Sequence, residues 1–334
     1  MEISSQKRET AISIIVPMFN VEHVVDRCLQ SLSEQNIEDI EVLFVNDCST
    51  DGTAAKIAAW IEKQKSDTAT YRLISHESNK GVAAARNTGL DNATGKYIYY
   101  VDADDYIEPE TLRTLYENAE TNGWNIAGCE WLLTFKQNER HMVQPDTKNG
   151  REVFEKMTMG VMRWNLWLFL VKRELYEREA IRFIPQMNMG EDLMVMLKLT
   201  LMADKVGILH KPLYHYIQTN ADSLTKSYEK SIPQITANIE EAERYLKEKG
   251  RTELLDNINM LKLNVKLPFL ISARNEDYRI WLEWFPEANK YIDYNKELPW
   301  RTRFIQKAAR VKQFWILKLY YWLVIKVLYG LIYK

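Results

Sequence analysis

Three carboxylates within four residues are the part of this 334-residue sequence best suited to chemistry: Asp102, Asp104 and Asp105. They directly follow an aromatic and β-branched run at residues 97–101, whose composition is typical of a buried strand. Carboxylates held this close raise one another's pKa values unless a cation lies among them. Because Mg2+ and Mn2+ prefer carboxylate oxygens as ligands, the sequence predicts a divalent-metal site at the end of a central strand.

A plain polar turn is the alternative for this stretch. Acidic residues are common in turns and at helix N-caps, and Pro109 follows closely enough to mark such a turn. An EF-hand loop is excluded, because no Gly stands at its sixth position and no Glu at its twelfth. The residues by themselves leave the metal site and the turn as two open interpretations.

A second acidic pair, Glu191 and Asp192, follows Gly190 and leads into an apolar pattern of helical spacing. Carboxylates at the start of a helix interact favourably with its N-terminal dipole. On the sequence alone, this pair therefore fits helix capping and a chemical role equally well.

The elements that must position these carboxylates alternate between strands and helices. Strands are predicted at residues 12–16, 40–45, 71–75 and 97–101, and helices at 21–35, 53–64 and 81–90. Such alternation predicts βαβ units and a mostly parallel sheet. Because parallel strands end at one edge, the polar residues that follow them are expected to form a nucleotide site there.

Several classes of protein are excluded or disfavoured. No Gly-x-Gly-x-x-Gly follows a strand, and Gly95-Lys96 lacks the rest of a phosphate-binding P-loop, so neither a dinucleotide oxidoreductase nor a P-loop NTPase is indicated. A net charge of -2 argues against a nucleic-acid partner. Three widely spaced cysteines and a polar start at residues 1–10 predict no disulfide framework, no zinc site and no signal peptide. These features favour the cytoplasm.

Four segments resemble, in order and spacing, the family 2 glycosyltransferases of the GT-A fold. They read SIIVPMFN at 13–20, VNDCSTDGT at 45–53, NKGVAAARNTG at 79–89 and DADD at 102–105. The resemblance is clear over residues 11–110 and weaker to about 225. It implies an α/β, Rossmann-like, mostly parallel sheet with helices on both faces, followed by an all-α C-terminal region.

The chain is predicted to have three parts. By the resemblance, residues 1–105 correspond to the nucleotide-sugar-binding half of the GT-A domain, and residues 106–228 to its acceptor-binding and catalytic half. Apolar spacing of the helical period from residue 232 onward predicts that residues 229–334 form a helical C-terminal region, which ends in a basic, aromatic, membrane-associating tail.

The family's donor site maps onto the first three segments and the Asp-x-Asp signature. Residues implied to bind the nucleotide sugar are Pro17, Phe19, Asp47, Arg86, Asp102, Ala103 and Asp104. Asp47 is expected to accept a hydrogen bond from the base, Arg86 to reach the nucleotide and Asp102 to lie by the ribose. Asp104 is expected to bind the Mn2+ or Mg2+ that bridges the diphosphate. The metal is the implied cofactor, because it neutralises charge on the leaving group.

The resemblance also interprets the second acidic pair. A Glu-Asp pair at this distance supplies the catalytic base in inverting members of the family, so Asp192 is the expected base and Glu191 its support. Trp164 and Trp167 are the expected acceptor-binding residues, with packing as the alternative for each.

Two departures from the family pattern stand out. Asn165 occupies a position near which many relatives have a Lys, and the loop at residues 218–223 lacks the usual basic residue. His210 and His215 are candidate substitutes for that residue, with structural roles as the alternative.

The C-terminal tail carries a strong local charge. Residues 300–334 contain eight basic side chains and no acidic one. The segment 314–333 is aromatic and aliphatic, but Lys318 and Lys326 interrupt it. This composition predicts a helix at a membrane interface, with packing on the protein and membrane spanning as alternatives.

The resulting functional prediction is an inverting hexosyltransferase at the inner face of the cytoplasmic membrane. It moves a sugar from a nucleoside-diphosphate sugar, most plausibly UDP-linked, to a glycan or lipid-linked glycan acceptor in cell-surface polysaccharide synthesis. The alternative is a non-catalytic nucleotide-sugar-binding or assembly subunit, which the departures at Asn165 and residues 218–220 motivate.

Overall fold

The fold is seen in a computed structural model that describes residues 9–64, 68–218 and 224–324. The strands within them are β1 (Ile12–Met18), β2 (Ile40–Asn46), β3 (Ala69–Ser75), β4 (Tyr97–Tyr100), β5 (Tyr106–Ile107), β6 (Ile126–Thr134), β7 (Glu139–Met142), β8 (Phe169–Lys172) and β9 (Val206–Ile217). The helices are α1 (Asp26–Ser33), α2 (Thr53–Lys63), α3 (Val82–Asn92), α4 (Thr111–Asn122), α5 (Gly150–Thr158), α6 (Arg173–Arg178), α7 (Glu191–Met202), α8 (Ile232–Glu248), α9 (Leu255–Val265), α10 (Asn275–Glu283), α11 (Trp300–Arg310) and α12 (Phe314–Tyr320). Short 3-10 turns occur at Leu166–Leu168, Leu224–Ser231, Thr252–Leu254, Leu267–Leu270 and Pro286–Tyr291.

The strands form one sheet in the order β3-β2-β1-β4-β8-β6-β9-β5, and β7 pairs with β6. The predicted parallel arrangement is present among β1 to β4. Beyond β4 the sheet is mixed, because β8 runs antiparallel to both β4 and β6, whereas β6 and β9 are parallel. The predicted α/β class is confirmed, and the sheet is less uniformly parallel than the sequence indicated.

The register of the first four strands brings their carboxyl ends to one edge. Met18 of β1 pairs with Asn46 of β2, and Ile15 pairs with Tyr100 at the end of β4. Every residue of β1, β2 and β4 is buried. Continuous apolar burial is expected for central strands covered by helices on both faces. The segments that follow β1 and β4 therefore start at the same edge.

Most element boundaries in residues 12–101 match the prediction to within two residues. Helix α1 is the exception, since it begins at Asp26 rather than at residue 21. The Val21 N–H donates to Thr53 Oγ1 at 2.9 Å, and the Val24 and Val25 N–H groups both bond back to the Val21 carbonyl. These turn contacts hold the segment next to the sheet edge before the helix begins.

The chain divides into two compact units. The first comprises residues up to Val153 together with Trp164–Ala242, and the second comprises Phe154–Arg163 with the residues from Glu243 onward. The division thus falls after Ala242, whereas the sequence predicted a helical region from residue 229. The assignment of residues 1–105 and 106–228 to two halves of one domain stays a prediction.

The second unit is helical, and asparagine amides secure its first segment. Asn264 Nδ2 donates to the Thr158 carbonyl at 2.7 Å, and Asn295 Nδ2 donates to the Met159 carbonyl at 2.9 Å. The last carbonyls of a helix have no partner within it, so these amides satisfy groups at the end of α5.

In the described part of the chain, no helix has the length and apolar character needed to cross a membrane. Helix α12 covers the first residues of the predicted interfacial segment, Phe314–Tyr320. Residues 325–334, which complete that segment, lie outside the described ranges.

Candidate active site

A cavity of about 520 Å³ lies in the first unit, where β1 and β4 end. Of the eleven residues predicted to bind the donor, to bind the acceptor or to act in catalysis, ten line this cavity: Pro17, Phe19, Arg86, Asp102, Ala103, Asp104, Trp164, Trp167, Glu191 and Asp192. The structure thus brings together side chains that stand up to 175 positions apart in the chain. The roles predicted for them are not tested by this proximity alone.

Solvent exposure alternates along the segment after β4, so its three carboxylates lie in different environments. Asp102 and Asp104 are partly exposed, whereas Ala103 and Asp105 are buried. The Asp105 N–H closes a turn onto the Asp102 carbonyl at 3.0 Å. Asp105 Oδ1 accepts the Ile217 N–H at 2.8 Å, and Oδ2 accepts the Tyr214 hydroxyl at 2.9 Å. Two carboxylates therefore line the cavity, and the third stabilises the turn that carries them.

Arg86 projects from α3 into a cluster of acidic side chains. Its Nη1 donates to Glu191 at 2.7 Å and also to Asp192, and its Nη2 donates to Asp102 at 3.3 Å. The guanidinium is 4% exposed. Burial by itself would lower the pKa of Arg86, but Asp192, Glu191 and Asp102 outweigh it and raise the pKa above its usual value. Arg86 therefore stays charged and joins both acidic segments.

Close packing of α3 against the sheet determines how far Arg86 reaches. A Cβ at Gly89 would come within 2.3 Å of Ile15 Cγ2 in β1, so only glycine allows this approach. Ala83 and Ala85 are fully buried on the same helix. Small residues thus allow the α3 backbone to lie close to the sheet, and the long side chain of Arg86 reaches the cavity from this helix.

Asp192 lies in the first turn of α7, after Gly190 in a left-handed conformation with φ of 83°. Its Oδ1 accepts from Arg86, and its Oδ2 accepts the Leu166 N–H at 3.4 Å. Burial, opposed by Arg86 and reinforced by Glu191, raises the pKa of Asp192 to about 7. A carboxylate that titrates near neutral pH suits a general base.

Asp102 responds to the same cluster. Burial raises its pKa to about 6; Arg86 opposes this rise, whereas Asp104 adds to it. Positive charge brought to the two aspartates would therefore be favourable. A divalent cation or a further basic group would supply it.

Asp47 is the one predicted site residue that does not line the cavity. It is 3% exposed, and its carboxylate accepts the N–H groups of Lys80 at 2.8 Å and Gly81 at 2.7 Å. His76 Nδ1 lies 2.7 Å from Asp47 Oδ1. These contacts give Asp47 a role in shaping the loop before α3, and its contact with a base stays a prediction.

The two predicted acceptor residues differ in their surroundings. Trp167 is 3% exposed and stacks on Tyr214, with ring centroids 4.2 Å apart, and on Tyr216 at 5.5 Å. Packing thus accounts for most of the Trp167 surface, although the residue still lines the cavity. Trp164 is half-buried and offers more of its ring.

Some lining residues were not singled out in the sequence. They are Val21, Val24, Val82, Asn188, Met189 and Tyr216. Tyr216 shares a face of β9 with Tyr214, so strand alternation offered a signal for it. Asn188 Oδ1 accepts the Ala83 N–H at 3.1 Å and so ties the segment before α7 to the start of α3. No local pattern indicates that long-range contact.

The two candidate histidines lie away from the cavity. His210 contacts Glu130 and Asp146, each at 2.8 Å. His215 contacts Glu108 at 2.7 Å and Glu139 at 3.1 Å. Neither lines the cavity, and their contacts with these carboxylates fit structural roles, so the idea that one of them replaces the family's basic residue stays a prediction. Residues 219–223, from the loop of interest, lie outside the described ranges.

A bound metal would need ligands from the substrate as well as from the protein. Among the residues that the structure describes, no group of three or more His, Cys, Asp or Glu side chains could hold an ion. Mg2+ in nucleotide sites commonly takes only one or two carboxylates, with phosphate and water oxygens completing its shell. Asp102 and Asp104 supply hard oxygen atoms at the cavity wall. Their chemistry fits an ion that binds together with a diphosphate.

The fold and the cavity define an α/β protein with an acidic ligand site at the carboxyl ends of its parallel strands. Residues 13–184, a little over half of the chain, match the family model described as Glycosyl transferase family 2. The protein belongs to this family, and the predicted resemblance to family 2 glycosyltransferases is confirmed.

Two relatives illustrate this membership. The chain is 35% identical over 225 residues to a protein named uncharacterized glycosyltransferase EpsJ from Bacillus subtilis (strain 168), covering 64% of this chain and 63% of that protein. It is 28% identical over 218 residues to a poly(ribitol-phosphate) beta-glucosyltransferase from Bacillus spizizenii, covering 62% of this chain and 32% of that protein. The chain therefore spans less than two thirds of either relative's length.

Two solved structures share the fold. The crystal structure of S. aureus TarS 1-349 in complex with UDP-GlcNAc has a TM-score of 0.64 at 19% identity and covers 93% of this chain and 91% of that one. The mannosyltransferase PcManGT from Pyrobaculum calidifontis, in complex with GDP-Man and Mn2+, has a TM-score of 0.54 at 18% identity, with coverages of 92% and 88%. The predicted GT-A fold is thereby confirmed.

Proposed function

We propose that the protein is an inverting glycosyltransferase that moves a sugar from UDP to a hydroxyl of a glycan or lipid-linked glycan during cell-surface polysaccharide synthesis. The observation that carries this proposal is one cavity lined by Asp102, Asp104 and Asp192, in which Arg86 donates hydrogen bonds to both Asp102 and Asp192. A donor with a charged diphosphate and an incoming hydroxyl need these two kinds of group side by side.

The comparisons support the substrate classes. UDP-GlcNAc bound to TarS and GDP-Man bound to the mannosyltransferase favour a nucleoside-diphosphate sugar as donor. We take UDP as the donor nucleotide, as in the TarS complex with UDP-GlcNAc. The relative named poly(ribitol-phosphate) beta-glucosyltransferase favours an acceptor from a cell-surface polymer.

On the donor side, Pro17 and Phe19 contact the nucleoside, and Asp102 and Ala103 lie by the ribose. Asp104 would hold the divalent cation, Mn2+ or Mg2+. That ion would offset the negative charge that develops on the leaving nucleoside diphosphate. The chain itself supplies the carboxylate and the walls that orient the sugar.

On the acceptor side, Trp164 and Trp167 line the approach to the sugar. Asp192 takes the proton of the attacking hydroxyl, and the oxygen then forms a bond to the anomeric carbon as the bond to the diphosphate breaks. Arg86 and the Leu166 N–H hold the Asp192 carboxylate, and Glu191 supports Arg86. A single displacement from the opposite face inverts the anomeric configuration.

Two alanine variants test these roles. Asp192→Ala is expected to lower kcat by about 10²- to 10⁴-fold, the usual contribution of a general base, while UDP binding in the presence of Mn2+ persists. Asp104→Ala is expected to abolish transfer and to weaken that binding. The measurements are a transfer assay with radiolabelled donor and isothermal titration calorimetry with UDP and Mn2+.

The matched control is Asp204→Ala, which removes an exposed carboxylate after α7 and should leave both measurements unchanged. Full turnover by Asp192→Ala would refute its role as the base. Donor binding by the wild-type protein without turnover on any acceptor would instead favour the non-catalytic subunit.

We also propose that part of the second unit lies on an anionic membrane surface. In and after α12, Trp315, Leu319, Trp322 and Leu323 are exposed at positions i, i+4, i+7 and i+8, which share one helix face. On α11, Trp300 and Phe304 are exposed one turn apart. Residues 300–324 carry six basic side chains and no acidic one. Indole rings with flanking Lys and Arg are typical of the membrane interface.

A further inference from the structure

The hydroxyl of Tyr214 makes two hydrogen bonds to the segment that carries the donor-side carboxylates. It accepts the Asp102 N–H at 3.1 Å and donates to Asp105 Oδ2 at 2.9 Å. Tyr214 is fully buried in β9 and does not line the cavity. A hydroxyl has one donor and can accept as well, so this single group holds both ends of the Asp102–Asp105 turn.

Asp105 provides a second contact between this turn and β9. Its other oxygen accepts the Ile217 N–H, which belongs to the same strand as Tyr214. The turn is therefore bonded to β9 through both oxygens of the buried Asp105 carboxylate, one to the Tyr214 hydroxyl and one to the Ile217 N–H. Such a buried carboxylate is costly when it loses a donor, so the two attachments depend on each other.

The ring of Tyr214 contacts a second residue that lines the cavity, Trp167. It stacks on Trp167 with an interplanar angle of 15°. Trp167 directly follows Leu166, whose N–H is directed at Asp192 Oδ2. One side chain thus contacts the donor-side turn through its hydroxyl and the acceptor-side wall through its ring.

We propose that Tyr214 is a positioning residue for the transfer reaction: its hydroxyl fixes the turn that presents Asp102 and Asp104 to the donor, and its ring fixes Trp167 at the acceptor side. This inference rests on the proposed function, since it assumes that those two aspartates meet the donor. It adds a residue that touches neither substrate and acts through the groups that do.

Tyr214→Phe separates the two contributions, because it removes the hydroxyl and keeps the ring. We expect UDP binding in the presence of Mn2+ to weaken about tenfold, which corresponds to the loss of one or two buried hydrogen bonds. The acceptor KM should stay unchanged, because the stack on Trp167 persists. Tyr214→Leu, which loses hydroxyl and ring, should weaken UDP binding and also raise the acceptor KM.

Tyr99→Phe is the matched control. Tyr99 lies on β4 and is equally buried, but its hydroxyl has no hydrogen-bond partner among the described residues. UDP binding is measured by calorimetry with and without Mn2+, and free Mn2+ by electron paramagnetic resonance at fixed UDP. These binding measurements are independent of turnover.

Each outcome bears on the inference. Weaker UDP and Mn2+ binding in Tyr214→Phe, with wild-type behaviour in Tyr99→Phe, supports it. A Tyr214→Phe protein that melts earlier but binds UDP and Mn2+ like the wild type overturns it, because the hydroxyl would then serve stability alone. If the wild type itself binds no UDP, the proposed function fails and the inference with it.

A second variant covers the case in which Tyr214→Phe does not fold. Asp105→Asn keeps the shape of the side chain but turns one acceptor into a donor. Facing Ile217, the new N–H group opposes the backbone N–H; facing Tyr214, it leaves the hydroxyl proton without its acceptor. We expect the same loss of UDP and Mn2+ binding. Wild-type binding by Asp105→Asn would overturn the inference.

Discussion

Asp192 lines the cavity and has an elevated pKa. Burial disfavours the charged form of the carboxylate and raises its pKa to about 7, although Arg86 opposes the rise. A base of this strength is largely ionised just above neutral pH and still takes a proton readily. The chemistry proposed for transfer therefore depends on the immediate environment of a single side chain, Asp192.

The pH dependence of transfer follows from this value. Because the raised pKa makes the protonated form dominant below about 7, kcat/KM for the acceptor should fall about tenfold per pH unit there and level off above it. Initial rates over a range of pH at saturating donor and Mn2+ measure the profile. Residual activity of Asp192→Asn should show no such inflection, and an unchanged inflection in this variant would assign it to another group.

Arg86 is expected to matter for stability as much as for catalysis. Arg86→Ala leaves three buried or half-buried carboxylates without their cation, and breaking a buried ion pair in this way costs about 3–5 kcal/mol. Arg86→Lys keeps the charge but lacks the planar fork of donors, so its loss should be smaller. Urea unfolding followed by circular dichroism measures both.

Arg182→Ala is the control for that comparison, since Arg182 bonds to Asp91 at 2.9 Å with both side chains well exposed. An exposed pair contributes only about 0–1 kcal/mol. Equal losses in Arg86→Ala and Arg182→Ala would contradict the view that the acidic cluster depends on its central cation.

At the scale of the elements, the loop between β3 and α3 shows how backbone and site are linked. Gly81 has φ of 86°, donates its N–H to Asp47 and faces the Asn188 side chain of the segment before α7. The loop thus connects Asp47, which directly follows β2, to the segment that carries Glu191 and Asp192. Its conformation is available to glycine without strain.

Gly81→Ala is expected to destabilise the fold by more than backbone strain alone. The new Cβ would come within 2.3 Å of Asn188 Nδ2, in addition to a backbone cost of about 1–3 kcal/mol for a non-glycine residue at φ of 86° and ψ of 163°. Gly250→Ala is matched to it, because Gly250 has φ of 67° but nothing within 4 Å of the added Cβ. Thermal melting of both variants measures the difference. A Gly250→Ala protein less stable than Gly81→Ala would contradict this account of the loop.

At the scale of the whole molecule, chemistry and surface properties belong to different units. The first unit contains the cavity, and the second contains the exposed aromatic and basic face of α11 and α12. A lipid-linked acceptor would be concentrated at the surface where that face binds. If both proposals hold, mutations in this face should weaken membrane binding and leave transfer to a soluble acceptor unchanged.

Vesicle binding tests the membrane face. The double variant Trp315→Glu, Trp322→Glu should bind vesicles containing phosphatidylglycerol about 100-fold more weakly than the wild type, because two indole rings no longer enter the interface. Co-sedimentation measures the binding, and added salt should weaken it. Val143→Glu introduces the same charge at a residue that is 68% exposed in the first unit and serves as the control. A wild-type protein that stays in the supernatant with these vesicles would refute the membrane proposal.

The sequence by itself determined the elements and the edge at which the site forms. Buried strands such as β1 and β4 and helices such as α2 appear in local patterns of apolar residues, and parallel strands must end together. These rules depend on neighbours a few residues apart. The family segments and the carboxylates at Asp104 and Asp192 were recognisable for the same reason.

Only the tertiary structure decided the partners of these residues. Arg86 pairs with Asp192 across 106 positions, Asp47 is engaged by the loop before α3, and Asp105 bonds to Tyr214 across 109 positions. The mixed half of the sheet likewise depends on pairing between distant strands. The hydrogen bonds and charges involved are short-ranged, so they act only after folding has brought distant segments together, and no local pattern encodes which segments will meet.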